Sequence, residues 1–293
     1  MISMSSPPEL PENLLKRETS GRRWNGVQVV VTEFTCGGRV LHQMPHGPET
    51  RLGVILEEVG RGRCEPRLSA NTPCAVDYKP RHMHFAPAEM ELWGYTADAR
   101  FVKDVSLSFD MPTLCERLQI PSGSGVLDVP RLRFTDDRVW SLARLLADAV
   151  EDPDPGAQLY GDSLIAAIAA RLLAPPGSVD KPAAGLSPLQ LRDAITFLDS
   201  QLPARVDLAT LSALAGLSQS HYSRAFKAST GLAPYQWQLQ ARIERAKSLL
   251  VGSVRSLEEV AEATGFADAV HFGRTFRKLT GATPAAWRAD RLA

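Results

Sequence analysis

Two short stretches hold the residues best suited to chemistry, and they are versions of each other. Ser220, His221, Ser223, Arg224 and Lys227 place hydroxyl, imidazole, guanidinium and ammonium groups within eight residues. At helical spacing, Ser220, Ser223, Arg224 and Lys227 share one face, and Tyr222 and Phe226 take the other. Fifty residues on, Val270, His271, Gly273, Arg274 and Arg277 stand in the matching places around Phe272 and Phe276. Polar and cationic faces of this kind can reach base edges and phosphate oxygens in a DNA groove. A lone Arg is ordinarily a surface residue in a local ion pair, but recurrence at matched positions favours a groove contact for Arg224 and Arg274. His221 and His271 each adjoin a buried aromatic, so half-packing and DNA contact both stay open for them. No nucleophile–base pair and no phosphate-binding loop is present, so no enzyme and no cofactor is expected.

The match extends well beyond these faces. Arg224, Phe226, Gly231, Pro234 and Trp237 recur at Arg274, Phe276, Gly281, Pro284 and Trp287, each with an offset of 50. Upstream, Gly216-Leu217 aligns with Gly265-Phe266 at an offset of 49, so the second copy carries one extra residue after its turn. Each copy reads as a short helix, a Gly-closed turn and a second helix with a buried aromatic pair. The units span about 207–229 and 256–279. Phe226, Phe276, Trp237 and Trp287 are expected in the core. Between the copies, Pro234–Leu250 holds no Gly or Pro after its first turn and would form a helix about 25 Å long. Such a spacer could place both second helices on one DNA face, where major grooves recur about 34 Å apart.

The 293 residues suit roughly two domains. The formal net charge is zero, but residues 187–293 hold 13 basic against 9 acidic side chains, and residues 1–186 hold 20 against 24. An excess of positive charge in the final domain suits a nucleic-acid partner. Cys36, Cys64, Cys74 and Cys115 form no Cys-x-x-Cys pair, and neither a signal peptide nor an apolar span of membrane length is seen. Reduced thiols, no membrane partner and a cytoplasmic location are the expectation.

Residues 1–20 are expected to be a mobile tail. Strands are expected over Val27–Phe34, Arg51–Glu57, Met90–Tyr95 and Val102–Phe109, as in a sandwich or barrel. Helices are expected over Asp136–Val150 and Leu159–Ala174, separated by Asp152–Gly156. Residues 175–186, rich in Pro and Gly, read as a linker, and everything from 187 to 293 is helical in pattern.

The carboxy-terminal segment resembles the DNA-binding domain of the AraC/XylS family of regulators. The residues that carry the likeness are Ser218–Lys227 (SQSHYSRAFK), the Gly231–Pro234 turn, Arg242–Leu250 (RIERAKSLL), Gly265-Phe266, Phe272–Arg277 (FGRTFR), Gly281–Pro284 (GATP) and Trp287-Arg288. The likeness covers about a third of the chain. It implies seven helices and one monomer reading two adjacent groove segments. It places Ser220, Ser223 and Arg224 in the first groove and Val270, His271, Gly273 and Arg274 in the second. Val270 and Gly273 cannot read a base edge by hydrogen bonding, so the second unit should hold more backbone and discriminate less.

Residues 21–174 resemble the cupin-like sensor and dimerisation domain of such regulators, carried by Phe85–Phe109 with Pro87, Trp93-Gly94 and Ser108-Phe109. The fold class is then α+β: a cupin-like β domain with two dimerisation-type helices, followed by an all-α domain of two helix-turn-helix units on a long helix. The two amphipathic helices fit an intradomain core about as well as a dimer seam, and the family likeness favours the seam. His82, His84 and Glu89 form His-x-His-x4-Glu, similar to the first metal motif of cupins. The Gly expected before His82 is absent, Gly94 follows Glu89 too soon, and no clear later His completes the set, although His42 and His46 are available. No metal is assigned.

The leading expectation is a sequence-specific activator that binds promoter or operator DNA, engages RNA polymerase and answers to a small effector held by the first domain. The alternatives are a ligand-independent regulator whose first domain binds a protein, and a metal-dependent cupin enzyme fused to a DNA-binding tail.

Overall fold

The computed structural model describes residues 10–118, 129–150, 157–173 and 185–292. The expected linker at 175–184, the breaker at 152–156 and the first nine residues lie outside them. The described residues form two units, one of sheets and helices and one all-helical. The segment Leu68–Ala75 clusters with the second unit.

The first unit opens with a hairpin. Strand β1 (Leu14–Trp24) pairs antiparallel with β2 (Val27–Cys36) across Asn25-Gly26, whose φ values are both positive. Asn-Gly is the pair a two-residue hairpin turn favours, because both central residues must adopt positive φ. The expected tail to residue 20 is therefore corrected: the strand begins at Leu14. Its exposed Lys16, Arg17, Glu18 and Arg23 suit a sheet edge, where charge discourages pairing with another chain. The six-stranded sheet runs β1-β2-β8-β4-β6-β9, with β4 (Thr50–Gly60), β6 (Met83–Ala86), β8 (Ala99–Phe109) and β9 (Arg131–Phe134). A three-stranded sheet runs β3 (Val40–Gln43), β7 (Trp93–Thr96) and β5 (Glu65–Arg67). The strand expected at Met90–Tyr95 is β7 and starts at Trp93; Met90 and Leu92 are buried ahead of it. A short helix, α1 (Met111–Leu118), follows β8.

The larger sheet has two unlike faces. Val29, Val31, Leu52, Val54, Val105 and Leu107 point one way and pack into one core with α2 (Asp137–Val150) and α3 (Ala157–Leu173). Trp24 is fully buried there, and its Nε1 donates to the Ala157 carbonyl. Asn25 holds Asp162 by two hydrogen bonds, which ties the hairpin turn to α3. Val139 and Leu146 of α2 and Leu164, Ile165, Ile168 and Leu172 of α3 are all taken up by this core. The stripes read as a dimer seam therefore face their own chain. On α2 and α3, Leu145, Leu159 and Tyr160 are the large apolar side chains left exposed.

The other face of that sheet carries Thr32, Arg51, Gly53, Asp104, Ser106 and Ser108. Together with the smaller sheet it encloses a cavity of about 610 Å³.

The second unit holds seven helices among the described residues: α4 (Pro188–Ser200), α5 (Leu208–Leu214), α6 (Gln219–Thr230), α7 (Pro234–Gly252), α8 (Leu257–Ala263), α9 (Ala269–Thr280) and α10 (Pro284–Leu292). Leu186, expected at the end of the linker, is buried, and its N–H donates to the Ser229 hydroxyl. Ser187 then caps α4 through a reciprocal box with Gln190. Among the described residues no helix is long and apolar enough to cross a membrane.

Candidate nucleic-acid interface

The sequence repeat is a repeat in space. Helices α5 and α8 each hold seven residues, and α6 and α9 each hold twelve. Asp207 and Ser256 cap the first helices, and Ser218 and Asp268 cap the second. The extra residue of the second copy falls in the turn: four residues, 215–218, separate α5 from α6, and five, 264–268, separate α8 from α9. Both second helices end on a left-handed glycine, Gly231 at φ 79° and Gly281 at φ 81°. The aromatic scaffolds also match. Tyr222 and Phe226 lie 5.7 Å apart, and Phe226 meets Trp237 edge-on at 5.9 Å. Phe272 and Phe276 lie 5.5 Å apart, and Phe276 meets Trp287 edge-on at 5.9 Å. Tyr222, Phe226, Phe272 and Phe276 are fully buried and Trp237 nearly so. Trp287, expected in the core, is only half-buried beside its cluster.

With the aromatic side fixed inward, the opposite side faces solvent. On α6, Ser220, His221, Arg224 and Lys227 are exposed and Ser223 is half-buried. On α9, Val270, His271, Arg274 and Arg277 are exposed and Gly273 is half-buried. A Cβ built at Gly273 would meet nothing within 4 Å, so packing does not demand glycine there. Arg224 Nε donates to the Ser220 carbonyl one turn back. That bond steadies the stem and leaves the terminal nitrogens for other acceptors. The N-cap side chains at Ser218 and Asp268 accept the N–H groups of His221 and His271. His271 also sets its ring edge-on against Phe266 at 5.5 Å, so its imidazole is exposed and packed at once. His221 shows no such ring contact.

The two helix-turn-helix copies are joined by α7, whose 19 residues span about 28 Å. Two side chains without an assigned role in the sequence pattern pin it. Gln238 accepts from the Val206 N–H (2.9 Å) and donates to the Val206 carbonyl (2.8 Å), fixing the entry to α5. One turn on, Arg242 Nη1 donates to the Gly265 carbonyl (3.0 Å) in the second turn. Both side chains are buried, at 6% and 8% exposure, so these bonds compete little with water. Gly265 has φ 77°, and a Cβ there would lie 2.2 Å from the Pro203 carbonyl oxygen, so side-chain bulk is excluded twice over. At the far end of α7, Arg288 donates to the carbonyls of Leu250 and Arg255. A polar pair four residues apart on an otherwise amphipathic helix was the available sequence signal for Gln238 and Arg242.

The residues weighed for a metal do not assemble. His82 and His84 line the cavity of the first unit, whereas Glu89 does not and sits in a turn at φ 60°. His46 lies 3.7 Å from Glu91. Among the described residues no three His, Cys, Asp or Glu side chains converge on a common metal position. All four cysteines are free. Inside the cavity, burial and the neighbouring His82 and Arg51 bring His84 down to about 3, and burial lifts Asp104 to about 7. Burial, with Arg17 nearby, also lowers His42.

The family match falls within the second unit. Residues 211–290 match a family model described as a helix-turn-helix domain. The MmsAB operon regulatory protein of Pseudomonas aeruginosa is 37% identical over 100 residues, 34% of this chain and 33% of that protein. The arabinose operon regulatory protein of Escherichia coli is 32% identical over 101 residues, 34% of this chain and 35% of that one. The DNA-binding domain of AdpA, solved in complex with a target DNA, is 36% identical over 34% of this chain and 91% of that chain, with a TM-score of 0.33. The chain spans about a third of the length of the two regulators it matches.

Proposed function

We propose that this chain, whose carboxy-terminal third is a DNA-binding domain of the AraC/XylS family, is a sequence-specific transcription regulator that grips operator DNA with α6 and α9. The observation that carries the reading is the twofold recurrence of one scaffold. Two caps, two glycine stops and two aromatic clusters each leave a polar, cationic face outward. Phosphate contacts would come from Arg224, Lys227, Arg274 and Arg277. Direct reading of bases would fall to Ser220, Ser223 and Arg224 in the first groove, with His221 beside them, while Val270, His271, Gly273 and Arg274 take the corresponding places in the second.

The first unit, read as a cupin-like sensor, binds a small effector in the cavity between its sheets, and the chain acts in the cytoplasm as an activator that engages RNA polymerase. A homodimer formed through α2 and α3 would use Leu145, Leu159 and Tyr160, since the rest of those stripes is occupied. The test is to map genomic binding sites and to footprint purified protein on the strongest one. Two protected major-groove segments about one helical turn apart on one DNA face are the expected result. Protection of a single segment, or binding without sequence preference, refutes the reading.

A further inference from the structure

The inner wall of the first unit is built unlike a core. Sheets packed face to face normally interdigitate apolar side chains. Here the wall facing the smaller sheet presents Thr32, Arg51, Asp104, Ser106 and Ser108, with His42 opposite on β3, around a cavity of about 610 Å³. The volume falls within the range of small-ligand sites.

One charge in that wall has no carboxylate within ion-pairing distance among the described residues. Arg51 is 9% exposed, and its Nη2 donates to the Met90 carbonyl. Its Nε has no hydrogen-bond partner, and among the described residues no carboxylate pairs with it. Glu49 and Glu89 act on it only through their field, and burial works against its charged form. A buried guanidinium left in this state is costly unless something completes its shell. The groups around it do not. His84 and His42 are held neutral by burial, and His42 Nδ1 is itself without a partner. Asp104 is lifted by burial alone, with no cation beside it, so it too tends toward the neutral form and can donate a proton. Phe34, Ile55 and Leu92 supply apolar lining to the same cavity.

We propose that this cavity takes a small organic monocarboxylate with an apolar body, its carboxylate anchored on Arg51 and its body against Phe34, Ile55 and Leu92. The proposal rests on the reading of the first unit as an effector-binding domain and names the chemical class. A neutral polyol could satisfy the hydroxyls and imidazoles, but it would leave the Arg51 charge unmatched.

The test is calorimetric titration and thermal unfolding of the full-length protein with benzoate, hexanoate, their primary amides and ribose, at millimolar concentration. Two variants accompany it. Arg51→Met removes the charge at similar length, and Ser106→Phe fills the cavity. At least one acid should bind, and its amide should bind about tenfold more weakly or worse, as expected for loss of a charged hydrogen-bonded contact. Arg51→Met should erase the acid–amide difference, and Ser106→Phe should abolish binding. An amide or ribose that binds as tightly as the acids, with binding lost in Ser106→Phe, overturns the carboxylate class and leaves the effector reading standing. Absence of binding by every probe overturns both. If Arg51→Met does not fold, the wild-type comparison of acid with amide still decides.

Discussion

Replacing Gln238 with Leu keeps the side-chain volume and removes both bonds to Val206, which makes it a direct probe of how α7 carries the first helix-turn-helix. The wild-type side chain is 6% exposed and satisfies both polar groups of one residue, at 2.9 and 2.8 Å. A buried group left without a partner costs about 1–3 kcal/mol. Val206 is half-buried, so water can recover part of that, and the low end applies to each group. The expected local loss is about 2–3 kcal/mol, or roughly 30- to 150-fold in the opening equilibrium of this segment. Asp207, the next residue, caps α5 by accepting from Thr210, so the loosening should pass directly into that helix. Hydrogen exchange over residues 206–215 should accelerate by about that factor, while residues 257–280 keep their protection. Operator affinity should fall mainly through the half-site under α6. If exchange in 206–215 and affinity for that half-site both stay at wild-type values, α7 does not hold the first helix-turn-helix through Gln238.

Arg224→Ala should leave thermal unfolding unchanged and weaken operator binding by about 1–3 kcal/mol in a gel-shift titration at fixed salt, because the side chain is exposed and its loss opens no cavity. Arg277→Ala should weaken binding similarly across sequences and flatten the salt slope by about one unit, and a saturation-mutated operator should show costlier substitutions under α6 than under α9. Equal or stronger discrimination under α9 would mean that His271 or Arg274 reads bases directly, or that DNA deformability carries the specificity there. Asp104→Asn should stabilise the first unit at pH 8 and change little at pH 4. Burial holds the folded carboxyl at about 7, against an ordinary 3.8, so its penalty is absent below the unfolded value and complete above the folded one. With each pKa unit worth about 1.4 kcal/mol, the ceiling is about 4 kcal/mol, to be read from denaturation midpoints at the two pH values.

The two halves of the chain differ in how openly their sequence declares them. The recognition helices are legible because each records itself twice: a buried aromatic pair, a glycine stop and a Pro-started helix recur at a fixed offset. The edge strand β1 is hidden because an edge exposes most of its residues, and Lys16, Arg17 and Glu18 read as a polar tail. The Asn25-Gly26 turn was the signal that could have revealed it. The cavity is hidden for a different reason. Asp104, Ser106 and Ser108 alternate with Val105, Leu107 and Phe109, and sequence alone assigns such polar positions to solvent. Only the second sheet, formed partly by the four-residue strands β3 and β7, turns that face into an interior. The pinning of α7 is non-local: nothing near Gln238 in sequence announces that its partner lies 32 residues upstream.

The continuity of α7 also constrains how operators and this protein could change together. Each residue inserted into the helix rotates the second helix-turn-helix by about 100° and advances it about 1.5 Å. Each base pair inserted between half-sites turns the groove by about 34–36° and advances it about 3.4 Å. No single insertion on one side matches a single insertion on the other. Four added residues come nearest to one added base pair in rotation, a full helical turn plus roughly 40°, but they advance the helix about 6 Å, nearly twice the base-pair step. Half-site spacing is therefore locked to the length of α7 in coarse steps, and operators with drifted spacing would be lost to this protein rather than gradually weakened.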